Sequence, residues 1–140
     1  MKALVVYYSK TGRTRQLAYE IDKYLKENNL QSKMISIYDV QPEDIMHSDM
    51  VLLGCWTSGL FFVLQHPNKT WKEYAAKFPD MKGKKVGFFT TYKTATGSMF
   101  RNLYKNLKDK LAGPVTLNLK SRNTKLSEEN KILIKEFISA

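Results

Sequence analysis

Short apolar runs alternate with helix-period stripes along the whole chain. The first run, Ala3-Leu4-Val5-Val6-Tyr7-Tyr8, has no polar break, so it predicts a strand buried on both faces. Leu17, Ala18, Ile21, Tyr24 and Leu25 recur at helical spacing and predict one buried face, ended by Asn28 and Asn29. Met34, Ile35, Ile37 and Tyr38 predict a second strand, whose flanking Lys33 and interrupting Ser36 suit an edge position. Asp39 to His47 is expected as a loop, with a short helical turn after Pro42. Met50-Val51-Leu52-Leu53-Gly54 predicts a third strand, again without alternation.

A loop is expected from Cys55 to about Lys69. Trp71, Tyr74, Ala75 and Phe78 form the next helical stripe, followed by Pro79 and Gly83 as breakers. Val86 to Thr90 predicts the fourth strand. Phe100, Leu103, Leu107 and Leu111 mark a helix ending near Gly113, and Pro114 opens a fifth strand, Val115 to Leu119. Ser127 is a good N-cap with Glu128 and Glu129 in the first turn, and the last helix is expected to bury Ile132, Leu133, Phe137 and Ile138. Five alternations of strand and helix argue an α/β fold with a parallel sheet covered on both faces. At 140 residues, with no repeat or linker, residues 1–140 are expected to form a single domain.

The turn after the first strand is where chemistry enters. Ser9-Lys10-Thr11-Gly12-Arg13-Thr14 joins a buried strand to a helix. Such a turn leaves backbone N–H groups and the helix N-terminus facing solvent, which suits an anion. Ser9, Thr11 and Thr14 add hydroxyl donors, and Gly12 lets a bulky anion approach the backbone. The backbone at Lys10 and Arg13 would help. The spacing fits neither the triphosphate loop Gly-x-x-x-x-Gly-Lys-Ser/Thr nor the dinucleotide turn Gly-x-Gly-x-x-Gly. The order Ser9-x-Thr11-Gly12-x-Thr14 after an N-terminal strand resembles the phosphate loop of the flavodoxin family, which grips the FMN phosphate.

The resemblance spans essentially the whole chain. It implies a flavodoxin-like three-layer sandwich with a five-stranded parallel sheet in the order 2-1-3-4-5. That family is itself the standard example of this doubly wound order, with FMN at the switch between strands 1 and 3. Gly54-Cys55-Trp56-Thr57-Ser58-Gly59 resembles the short-chain flavodoxin loop that begins Gly-Cys and reaches a glycine four residues later. In the family that glycine's peptide flips, and its carbonyl accepts a hydrogen bond from flavin N5–H once the ring takes up an electron. Gly59 is the matching position. Gly83-Lys84-Lys85-Val86 also resembles the family and sets the register of the next loop, Thr91-Tyr92-Lys93-Thr94. There the usual stacking tryptophan falls near Thr94 and is missing. Tyr92 and Trp56 are the candidates to replace it.

The resemblance therefore implies an FMN-binding electron shuttle between redox partners, with the ring held by Cys55 to Gly59 and Thr91 to Thr94. Two alternatives remain: an FMN-dependent quinone or NAD(P)H reductase, and a binding module of the same fold that has lost FMN. Where the family often continues with an acidic residue, this chain has Leu60, then Phe61-Phe62-Val63-Leu64. That patch could line a pocket, cover the flavin, form a dimer contact or be core.

Charge changes the picture last. The net charge is +10, whereas flavodoxins as a family are usually acidic. A basic surface favours an acidic redox partner. Lys93 beside the flavin N1 would favour the reduced, anionic ring. The lysines are dispersed and no RNA-recognition or zinc signature accompanies them, which argues against nucleic acid. His47 and His66 lack partners at ligand spacing, so no metal is expected. Cys55 is a lone cysteine, which fits a reducing cytoplasm and a small buried hydrophobe. No run approaches the length of a membrane helix, and a monomer or weak dimer is expected.

Overall fold

A computed structural model describes residues 1–57, 69–93 and 96–140. Five strands form one sheet: β1 (Lys2–Tyr8), β2 (Gln31–Ser36), β3 (Met50–Trp56), β4 (Lys85–Thr91) and β5 (Leu117–Ser121). Every neighbouring pair is parallel, and the order is β2-β1-β3-β4-β5, as expected. The helices are α1 (Arg13–Glu27), α2 (Pro42–Met46), α3 (Lys69–Ala75), α4 (Met99–Leu107) and α5 (Glu128–Ser139). Among the described residues, no helix is long and apolar enough to cross a membrane.

Two cores lie on the two faces of the sheet. On one, Leu4, Val6, Val51, Leu53 and Phe88 pack with Ile45 of α2, Trp71 and Ala75 of α3, and Leu103 and Leu107 of α4. On the other, Val5, Leu52, Phe89, Leu117 and Leu119 pack with Leu17, Ala18, Ile21 and Leu25 of α1 and Ile134 of α5. Strands β1 and β3 feed both cores, which is why neither alternates in sequence. Each fully buried aliphatic or aromatic side chain contributes roughly 1.5–3 kcal/mol by leaving water. The Phe89 ring lies directly over Gly54, where an added Cβ would fall 2.1 Å from the ring. That close approach is possible only without a side chain.

Several boundaries differ from the sequence expectation, each for a local reason. The second strand runs over Gln31–Ser36 rather than through Tyr38. The Ser36 hydroxyl accepts from Tyr38 N–H (3.2 Å) and the Ser36 carbonyl accepts from Asp39 N–H (2.9 Å), so the chain turns there. The third strand continues through Cys55 and Trp56, because both still pair with β4. The fifth strand starts at Leu117, where its pairing with Gly87 of β4 begins. Helix α4 ends at Leu107 and gives way to a 3-10 turn at Lys108–Lys110, leaving Leu111 extended. In α5 the buried residues are Asn130 and Ile134, while Ile132 is 57% exposed. Leu133, Phe137 and Ile138 are partly buried against the α1 core, as the stripe implied.

Candidate functional site

The chain passes from β1 outward to β2, then returns across β1 to β3 and on to β4. Neighbouring loops therefore leave in opposite directions at the β1/β3 boundary, the crevice where open α/β sheets hold ligands. Strands β1, β3 and β4 are adjacent, so the carboxyl ends from which their loops depart lie side by side there.

The β1 loop, Ser9 to Gly12, is exposed or nearly so. Gly12 has φ 91° and ψ −7°, a left-handed conformation that costs other residues dearly. It is the N-cap of α1, and no side chain caps that helix. A Cβ built on Gly12 meets nothing within 4 Å, so space stands open beside the backbone. The Gly12 N–H donates to Ser9 Oγ (2.9 Å), which leaves the Ser9 hydroxyl proton to donate elsewhere. An open helix N-terminus, a free hydroxyl donor and a glycine without overhanging atoms fit a phosphate. Lys10, Thr11 and Arg13 are exposed around the same turn.

Thr14 is placed differently. It is 1% exposed, and its hydroxyl lies 2.7 Å from the Thr91 hydroxyl at the end of β4. It therefore ties the turn after β1 to the end of β4 instead of standing at the rim. A second tie runs outside it, from the Arg13 guanidinium to the Arg122 carbonyl after β5.

The other side of the crevice is built from β3 and β4. Cys55 is fully buried; its carbonyl accepts from the buried Thr90 hydroxyl at 2.6 Å. Thr57 N–H donates to the Thr91 carbonyl (2.9 Å), and the Thr57 and Thr90 hydroxyls lie 2.9 Å apart. These bonds clamp the two loop exits together. Trp56 is half-buried, its ring edge-on to Tyr8 at 4.6 Å between centroids. Tyr8 continues to Tyr38 at 5.6 Å and Tyr38 to Tyr74 at 5.2 Å. Hydrogen bonding with Tyr8 holds the Tyr38 hydroxyl above its ordinary pKa. Tyr92 is half-buried, and its ring faces the Arg122 guanidinium at 5.3 Å. Lys93 is exposed beside it. The two aromatic candidates thus differ: Trp56 belongs to a tyrosine cluster, whereas Tyr92 rests against a cation.

Ser58, Gly59, the Leu60–Leu64 patch, His66 and Thr94 lie outside the described residues. Sequence reasoning missed Arg122 and the Thr14–Thr91 bond. The signal for Arg122 was present, since the loop after a fifth parallel strand must emerge at this same edge. Among the described residues no cluster of three metal-ligating side chains occurs.

Comparison with known proteins agrees with this geometry. A family model described as Flavodoxin matches residues 5–122. A flavodoxin of Megasphaera elsdenii is 30% identical over 93 residues, 66% of each chain. A flavodoxin of Clostridium beijerinckii is 28% identical over 99 residues, 70% of each. The aligned stretches thus span about two thirds of these relatives' length. The solution structure of the two-electron reduced Megasphaera elsdenii flavodoxin superposes with a TM-score of 0.76 at 26% identity, covering 99% of both chains.

Proposed function

The chain belongs to the flavodoxin family of FMN-binding electron-transfer proteins, and from that premise we propose which of its residues hold the cofactor and what partner it serves. Bound FMN supplies the electron chemistry; the protein supplies binding, orientation and electrostatics. Ser9, Thr11 and the backbone of Lys10, Gly12 and Arg13 hold the phosphate at the start of α1. Thr14 keeps that turn in register with β4 through Thr91. Trp56, Thr57 and, beyond the described residues, Ser58 and Gly59 flank the ring on one side. Thr91, Tyr92 and Lys93, with Thr94 beyond the described residues, flank it on the other. The buried Cys55 contributes its main chain.

The observation that carries this seat is the uncapped α1 N-terminus at a left-handed Gly12 with open space beside it. The test is a titration of cofactor-free protein with FMN, followed by its visible spectrum. We expect a one-to-one complex with a perturbed flavin band, broken by excess inorganic phosphate competing for the turn. A complex indifferent to phosphate would move the phosphate site elsewhere.

The partner we propose is an acidic redox protein. The described residues of the loops after β1, β3, β4 and β5 contain Lys10, Lys93, Arg122 and Lys125 and no Asp or Glu. Glu128 and Glu129 follow only at the start of α5, so the charge of these loop residues steers the oppositely charged face of a partner toward them. Electron transfer to an acidic acceptor protein should therefore slow about tenfold between roughly 10 mM and 500 mM salt. A rate that rises with salt points to a basic partner.

A further inference from the structure

We propose that Arg122, on the loop after β5, is a positioning residue of the flavin-ring seat: its guanidinium backs Tyr92 and biases the site toward reduced FMN over oxidised FMN. The proposal rests on the flavin assignment above and adds to it a residue from a loop outside the three already described.

The contact itself is a cation over an aromatic ring. The guanidinium carbon is 5.3 Å from the Tyr92 ring centroid, within the roughly 6 Å over which the ring quadrupole attracts a cation. The backbone on both sides is fixed. Tyr92 N–H donates to the Ser121 carbonyl at 3.2 Å, so the two residues leave the sheet side by side. The Arg122 carbonyl accepts from the Arg13 side chain, which anchors it to the start of α1. Beyond Arg122 the chain closes on itself. The buried Ser121 hydroxyl lies 2.9 Å from the Lys125 carbonyl and 3.1 Å from Asn123 Oδ1. Asn123 Oδ1 also accepts from Lys125 N–H at 3.1 Å, and Thr124 is left-handed at φ 66°. A mobile surface arginine would have no such frame. One element thus touches the phosphate turn through Arg13 and the ring loop through Tyr92.

The electrostatic consequence follows from charge. Arginine stays protonated throughout the physiological range. The oxidised flavin ring is neutral, while the two-electron reduced ring is an anion near neutral pH. A fixed cation behind the tyrosine that faces the ring therefore stabilises the reduced form more than the oxidised one. Lys93 and Lys10 add the same sign from neighbouring loops. Because the cation acts across a solvent-edged site, screening limits the bias to about a factor of ten.

The test uses Arg122→Gln and Arg122→Lys in the whole chain, with dissociation constants measured anaerobically for oxidised FMN and for dithionite-reduced FMN. We expect Arg122→Gln to weaken reduced FMN about tenfold more than oxidised FMN. Arg122→Lys should keep most of that preference. In the cofactor-free protein, Arg122→Gln should move the Tyr92 ring resonances and leave those of Tyr38 in place. Equal losses for both forms of FMN, or unmoved Tyr92 resonances, overturn the proposal. A wild-type chain that binds neither form overturns the flavin seat itself, and it does so before any substitution is made.

Discussion

At the amino edge of the sheet, three helices end against lysines supplied by other elements. Lys84 donates to the carbonyls of Met46 (2.8 Å) and Ser48 (2.6 Å) beyond α2. Lys85 donates to main-chain oxygens of Phe137 (3.0 Å), Ile138 (3.0 Å) and Ala140 (2.6 Å) at the end of α5. Lys110 donates to Ala75 (3.1 Å) and Ala76 (2.6 Å) at the end of α3. At the carboxyl edge, α1 follows Gly12, and no side chain caps the N–H groups of its first turn. The neighbouring α5 begins there too, but Ser127 Oγ accepts from Asn130 N–H at 3.1 Å and closes it. Helix ends left bare cost stability unless something satisfies them. The difference teaches where the chain leaves helix ends open: α1 and α4, which follow β1 and β4, both start without a side-chain cap, and of the two only α1 starts at a left-handed glycine with open space beside it. It also places much of the basic character. Part of the net charge sits on these half-buried lysines at helix C-termini, at the sheet edge opposite the Gly12 turn.

Filling the open end should give the largest effect. Gly12→Val puts a β-branched side chain at φ 91° and into the empty space beside the turn. The conformational strain amounts to about 1–2 kcal/mol of stability. FMN affinity should fall about 100-fold, since the phosphate loses both the approach and the donors behind it. Isothermal titration with FMN and urea unfolding of the cofactor-free protein read the two effects separately. Unchanged affinity would erase the contrast between the edges.

Removing a cap at the other edge should do the reverse. Lys85→Met leaves three main-chain oxygens at the end of α5 without their ammonium donor. The expected loss is about 2 kcal/mol in urea unfolding, the scale of hydrogen bonds to a charged group plus the helix dipole. FMN affinity of the folded fraction should stay within about twofold. Lys110 is the weaker instance, because burial holds its amine below the ordinary lysine pKa and so offsets part of its gain.

The layers were legible in the sequence because they rest on periodicity. Ala3 to Val6 and Met50 to Leu53 are buried on both faces, as their unbroken runs implied. The stripe Leu17, Ala18, Ile21 and Leu25 is buried as spaced. The open turn at Gly12 was legible because a glycine among hydroxyl residues between a buried strand and a helix stripe marks a strand-to-helix turn. What the sequence hid depends on distant partners. Ile132 looks apolar in the same way as Ile134, and only the packing of α5 on Leu117 and Leu119 selects between them. Thr14 looks like a rim donor until Thr91, far along the chain, is found 2.7 Å away. The capping lysines looked like part of a dispersed charge, since nothing local shows that Lys85 reaches the main chain of α5.

The smallest effect sharpens the comparison at a third helix start. Asp44 closes α2: its Oδ2 accepts from Gln41 N–H at 2.9 Å, and its Oδ1 accepts from the Lys33 ammonium at 3.0 Å. The Gln41 bond first, and then Lys33, holds this carboxyl below its ordinary pKa. A lowered carboxylate pKa stabilises the fold at every pH above the unfolded value. That stability is lost as the pH falls through the lowered folded value. Asp44→Asn should therefore be less stable than wild type near neutrality, by no more than about 1 kcal/mol for so exposed a group. The gap should close in acid, below the ordinary carboxylate range. Urea unfolding at two pH values and two salt concentrations separates the causes. Salt screens the Lys33 pair, while the amide oxygen of the Asp44→Asn variant can still accept from Gln41 N–H, so the part of the gap that closes in high salt measures the ion pair and leaves the helix start closed in both proteins.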